Sequence, residues 1–82
     1  MPPKVAQMIK EQEEQKIFKE LEELGYEIDQ CIIMGLSQVC IENDWLEIVI
    51  YKTDKTYRVW RGSVPMKIHQ LLHRLFKIWG WI

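Results

Sequence analysis

The sequence has little cysteine, no long apolar run and no recognisable export signal. Its only two cysteines, Cys31 and Cys40, cannot form the disulfide framework of a small secreted domain. We expect both to be reduced thiols, buried as small hydrophobic residues. No stretch approaches the roughly 18 apolar residues of a membrane-spanning helix, and the polar start after Met1 lacks a signal-peptide pattern. These absences predict a cytoplasmic protein.

The sequence also lacks the motifs of common enzymes. It has no Gly-x-Ser-x-Gly nucleophile turn, no glycine-rich phosphate loop and no pair of acids beside a histidine. His69 and His73 could share a metal ion with Cys31 and Cys40. However, eight residues separate the two cysteines, whereas structural zinc sites usually have about two to four. We therefore predict no enzyme activity, no catalytic residue, no bound metal and no cofactor.

Apolar residues are numerous enough for one small core. The 82 residues are 48% apolar and 28% charged, which predicts a single soluble domain over residues 1–82. Four tryptophans are many for a chain of this length. They can fill a thin core, and tryptophan is also enriched at the energetic centres of protein interfaces.

Two helices and a β-meander are predicted from the spacing of apolar residues. The first helix covers about residues 4–24 and ends at Gly25, where a left-handed cap is common. Four short segments predict strands: 31–34, 39–42, 45–52 and 57–61. Whether residues 26–34 form a strand or a loop stays open, and residues 35–37 are expected to form a turn.

The second helix has one broad apolar face and begins after Ser63, its expected N-cap. In the preceding strand, Arg58 is expected on the solvent side and Trp60 in the core. Short connections favour antiparallel pairing. We therefore predict an α+β two-layer sandwich, in the order helix, three or four antiparallel strands in a meander, helix.

The first helix has apolar residues on two opposite faces. At about 100° per residue, one face carries Ile17, Phe18, Leu21 and Leu24. The nearly opposite face carries Val5, Met8 and Ile9. A straight helix cannot bury both faces against one sheet. Residues 1–16 are therefore expected to be a protruding or frayed helical arm, or to bind a partner through Val5, Met8 and Ile9 together with Trp81.

Charge is divided unevenly along the chain. Residues 1–54 hold all twelve acids and five lysines, a net charge of −7, whereas residues 55–82 hold six basic residues and no acid, a net charge of +6. One interpretation is that the two helices are neighbours and partly neutralise each other. Another is a surface for nucleic acid or an acidic partner, formed by Arg58, Arg61, Lys67, Arg74 and Lys77. A membrane surface is the least favoured interpretation.

The order helix, three strands, helix is also that of double-stranded RNA-binding domains and of certain small toxin nucleases. The motifs that carry function in those families are missing. The second helix begins Ser63-Val64-Pro65-Met66-Lys67, with one lysine rather than a run, and Gly35-Leu36-Ser37-Gln38 has no catalytic histidine. The resemblance is one of topology, and it assigns no family.

Taken together, these features predict a small non-enzymatic protein-interaction module, with self-association as the leading hypothesis. Opposite charges in the two halves would suit a symmetric dimer in which the acidic helix of one copy meets the basic surface of its twin. The alternative hypothesis is a nucleic-acid-binding protein that uses the basic C-terminal strand and helix.

Overall fold

The structure is a computed structural model that describes residues 3–82, with side chains from residue 9 onward. Its elements, in chain order, are α1 (Pro3–Glu23), β1 (Glu27–Ile33), β2 (Leu36–Glu42), β3 (Glu47–Tyr51), β4 (Thr56–Arg61) and α2 (Met66–Ile78). The strands form one antiparallel sheet in the order β1-β2-β3-β4. The predicted α+β fold, with a helix at each end of a β-meander, is confirmed, and the meander has four strands.

The core lies between the two helices and the two inner strands. Side chains alternate across a strand, so β2 buries Val39 and Ile41 while β3 buries Ile48 and Ile50. The buried residues of the helices are Ile17, Phe18 and Leu21 in α1, and Ile68, Leu71, Leu72, Leu75 and Phe76 in α2. All belong to one cluster, so both helices lie on the same face of the sheet. Among residues 3–82, no helix or strand covers the other face.

The acidic and basic halves meet where the helices and the sheet come together. Arg74 of α2 contacts Glu20 of α1 at 3.3 Å, whereas Lys52 and Glu14, 3.6 Å apart, both belong to the acidic half. Trp79 also donates a hydrogen bond from Nε1 to Glu14 Oε1, at 3.1 Å. The expected partial neutralisation within the fold is therefore present. The Arg74–Glu20 pair is exposed to solvent, and exposed pairs contribute little stability, about 0–1 kcal/mol each.

Two local predictions, the turn at residues 35–37 and the N-cap at Ser63, were displaced by one or two residues from the observed positions. The β1–β2 turn is formed by Met34 and Gly35, with φ of 53° and 81°; two consecutive positive φ values are typical of a two-residue hairpin. Leu36 and Ser37 already belong to β2. At the start of α2 the N-cap is Pro65 and no side chain caps the helix, because two residues separate Ser63 from the first helical residue. Within residues 3–82, neither helix combines the length and apolar character needed to cross a membrane.

Candidate interaction surface

Both outer strands of the sheet are open edges. In the described part of the chain, β1 and β4 each have one neighbouring strand. All six residues of β4 are exposed, and in β1 only Ile28 is partly buried. Each edge therefore presents a row of backbone N–H and C=O groups that a further strand could pair with.

The end of the β1–β2 hairpin is apolar and exposed. It carries four large side chains: Ile32, Ile33, Met34 and Leu36, hereafter the hairpin tip. Met34 is 95% exposed and Ile32 is 74% exposed, because the hairpin extends past the helices that cover the inner strands. Contiguous apolar patches on small soluble domains mark interaction sites. The hairpin tip is therefore a candidate contact surface next to the β1 edge.

The other open edge borders a groove between β4 and α2. Tyr57 of β4 faces the helices, with its ring centroid 5.4 Å from that of Phe76. Tyr57 and Val59 nevertheless stay 39% and 41% exposed. The groove has a volume of 670 Å³ and is also lined by His69 and His73. It is a largely apolar groove beside the open edge of β4, an arrangement in which an added peptide strand can place alternate side chains.

The uncovered face of the sheet holds side chains that we expected in the core. Cys31 is exposed, Cys40 is partly buried and Trp60 is 59% exposed. The prediction of buried thiols and of a core tryptophan was wrong because the helices cover only one face. Strand alternation turns Cys31 and Cys40 to the other face, and Trp60 is the extra residue at a register shift between Val59 and Arg61. Arg58 is exposed, as predicted.

Cys40 lies beside two carboxylates on this face. The Cys40 sulfur and carboxylate oxygens of Glu42 and Glu47 all lie within 4.8 Å of one another. Partial burial raises the pKa of the Cys40 thiol above its ordinary value, and the negative charges of Glu42, Glu47 and Asp29 raise it further. The thiol is therefore protonated at neutral pH, and a protonated thiol is a weak nucleophile and a weak metal ligand.

The two open edges carry opposite charge. β1 contains Glu27 and Asp29 and no basic residue, whereas β4 contains Arg58 and Arg61 and no acid. Arg61 lies 4.0 Å from Glu47 and also donates a hydrogen bond to the Asn43 carbonyl. The β1 edge of the sheet is thus acidic, and the β4 edge is basic.

The residues predicted to bind a partner through the first helix occupy different environments. Ile9 is 44% exposed on α1. Trp81 is half-buried, and its ring stacks on Phe76 with centroids 4.3 Å apart. Val5 and Met8 belong to the backbone of α1, but their side chains lie outside the described part. A contact through these residues stays a prediction.

The five basic residues predicted for nucleic acid do not form one stripe. Arg58 lies on the uncovered face of the sheet, while Lys67, Arg74 and Lys77 lie on α2, across the sheet from it. Arg61 and Arg74 already contact acids of the same chain. The strand and the helix are adjacent in sequence, but strand alternation points their charges in opposite directions.

Sequence reasoning missed the hairpin tip and the β4 edge. The signal for the tip was the unbroken apolar run at residues 31–34, since a half-buried strand would alternate apolar and polar residues. No protein family, no curated protein and no solved structure matches this chain. The interaction surfaces described above are therefore the basis for a functional proposal.

Proposed function

We propose that this chain is a small, non-enzymatic protein-interaction module that self-associates through the open edges of its sheet. The observation that carries the proposal is the exposed hairpin tip next to the open outer edge of β1. An apolar patch continuous with an open strand offers a partner two kinds of contact at once. Backbone pairing supplies affinity, and side-chain burial supplies both affinity and selectivity.

The exposed apolar area is large enough to matter for binding. Burying a Leu, Ile or Met side chain fully contributes about 1.5–3 kcal/mol, and the exposed fractions of the four tip residues add up to between two and three such side chains. The resulting gain of about 4–8 kcal/mol is comparable with the cost of association, about 4–15 kcal/mol. The tip alone therefore gives weak binding, and strand pairing has to add to it.

A second copy of the chain is a suitable partner because it carries both the acidic and the basic edge. The nucleic-acid alternative has less support, since the sheet separates Arg58 from the basic residues of α2 and two of the five basic residues are already paired. The free thiols of Cys31 and Cys40 suit a reducing compartment, which supports a cytoplasmic location.

The substitution Met34→Asn tests the role of the hairpin tip without endangering the fold. Met34 has a positive φ and precedes Gly35, and Asn-Gly is the preferred pair for a two-residue hairpin turn. We expect the wild-type chain to associate as its concentration rises through the micromolar range, and M34N to stay monomeric at higher concentrations. Sedimentation velocity measures both.

The matched control is Met66→Asn, because Met66 is also highly exposed, at 72%, but lies at the start of α2. We expect this variant to associate like the wild type. A wild-type chain that stays monomeric at all concentrations would disprove self-association. An M34N variant that associates like the wild type would exclude the tip from the interface.

A further inference from the structure

We infer that copies of this chain join head to tail, with β1 of one copy adding to β4 of the next. This inference rests on the proposed self-association and specifies its geometry. Three antiparallel pairings separate β1 from β4, so the two strands run in opposite directions. A translated copy therefore presents β1 antiparallel to β4 and keeps its helices on the same face of the extended sheet.

The rows of side chains that cross the sheet indicate the register of this contact. One row on the uncovered face runs Asp29, Cys40, Val49, Arg58. If the row continues straight into the next copy, Asp29 of that copy lies opposite Arg58. Opposite charges at directly paired positions of neighbouring strands stabilise the pair.

The same register places apolar residues together on the helix-covered face. Ile28 of the added strand lies opposite Val59, and Gln30 lies opposite Tyr57. Ile32, two residues further, then lies beyond Tyr57 at the end of the sheet where Phe76 and Trp81 stack. The added strand thus covers the half-exposed face of β4 and brings Ile32 of the hairpin tip to an aromatic cluster.

Symmetric pairing is disfavoured by the same charges. A β1–β1 contact would bring Glu27 and Asp29 of two copies together. A β4–β4 contact would bring Arg58 and Arg61 of two copies together. Like charges on adjacent strands are destabilising. A head-to-tail contact uses two different surfaces, so repetition gives either a closed ring or an extending filament.

Charge reversal at the paired positions tests the arrangement. In the variant Asp29→Arg, an arginine on β1 would face Arg58 on β4 of the neighbouring copy. In the variant Arg58→Asp, Asp29 on β1 would face an aspartate on β4. We expect each variant alone to self-associate about five- to thirty-fold more weakly than the wild type. We expect the double variant D29R/R58D, and an equimolar mixture of the two single variants, to recover association because opposite charges again face each other.

The controls change charge by the same amount at exposed helical positions outside both strands: Glu23→Arg at the end of α1 and Lys67→Asp on α2. Both should associate like the wild type in sedimentation velocity, and circular dichroism checks that every variant is folded. An effect confined to one of the two single variants would overturn the inference, because a head-to-tail contact contains both positions whereas a β1–β1 or a β4–β4 contact contains only one of them.

Two further results separate this inference from the proposed function. Unchanged association in both single variants would overturn the head-to-tail contact while self-association stands. A wild-type chain that is monomeric throughout would overturn self-association itself, and the inference with it.

Discussion

Gly62 is the glycine whose replacement by alanine should damage the fold most. It follows β4 with φ of +80°, a left-handed conformation that costs a residue with a Cβ atom about 1–2 kcal/mol. A Cβ at this position would also collide with the backbone carbonyl oxygen of Trp45 and lie 3.2 Å from the Leu46 Cα. The obstacle is backbone, so no side-chain rotation can relieve it.

Two other glycines provide a matched comparison. Gly25 and Gly80 have φ of +96° and +79°, but a Cβ added there meets no atom within 4 Å. We expect Gly25→Ala and Gly80→Ala to lower the free energy of unfolding by about 1–2 kcal/mol, from backbone strain alone. Gly62→Ala should add an overpacking cost of about 1–3 kcal/mol.

Urea unfolding followed by circular dichroism measures all three variants under one set of conditions. The decisive quantity is the difference between G62A and G80A rather than either value alone. If G62A costs no more than G80A, then the end of β4 does not pack against the β2–β3 loop as described. The end of β4 would then lie in a different position, and the proposed head-to-tail contact, which uses the β4 edge, would lose support.

The two cysteines should differ in reactivity: a thiol-alkylating reagent at neutral pH should modify the exposed Cys31 first, and Cys40 should react readily only above the ordinary thiol range because its pKa is raised. Mass spectrometry of Cys31→Ser and Cys40→Ser across pH checks this, and equal rates at neutral pH would contradict it. Asn43 accepts backbone hydrogen bonds from Trp45 and Leu46 at 3.0 and 2.8 Å, so Asn43→Ala should lower the free energy of unfolding by about 1–3 kcal/mol. Urea unfolding measures this change, and a loss below the experimental error would show that the loop holds its shape without these bonds.

The parts of the fold that were predictable from sequence are those with one clear apolar face. The second helix was predictable, apart from its N-cap, because five of its apolar residues share one helical face and all belong to the core: Ile68, Leu71, Leu72, Leu75 and Phe76. The inner strand β3 was equally clear, with its β-branched run Ile48-Val49-Ile50. In α2 the buried residues are those of the apolar face, whereas in β3 burial alternates within the apolar run, with Ile48 and Ile50 buried and Val49 partly buried.

The edge strands were harder to predict because little of them is buried. β1 begins at Glu27, ahead of the apolar run at residues 31–34, and its first half contains Asp29 and Gln30. Of its seven residues only Ile28 packs against the core, so most of β1 needs no alternating apolar pattern. Its backbone pairing with β2 is what holds it in the sheet.

The candidate site was only partly predictable for a related reason. The charge division along the chain was visible in the sequence, but the direction in which each charge points depends on strand register. Arg58 and Arg74 have the same charge and lie on opposite sides of the sheet because one belongs to an outward-facing strand position and the other to a helix on the covered face. Composition carries no information about that direction.

The charges on the two edges can serve two purposes at once. Open strands are a liability in soluble proteins, and charged side chains are a common means of preventing uncontrolled edge-to-edge pairing. Here each edge carries charge of one sign, acidic on β1 and basic on β4. Such an arrangement opposes pairing between identical edges and favours pairing between different ones. The charges that oppose β1–β1 and β4–β4 pairing would therefore also favour the head-to-tail pairing of β1 with β4.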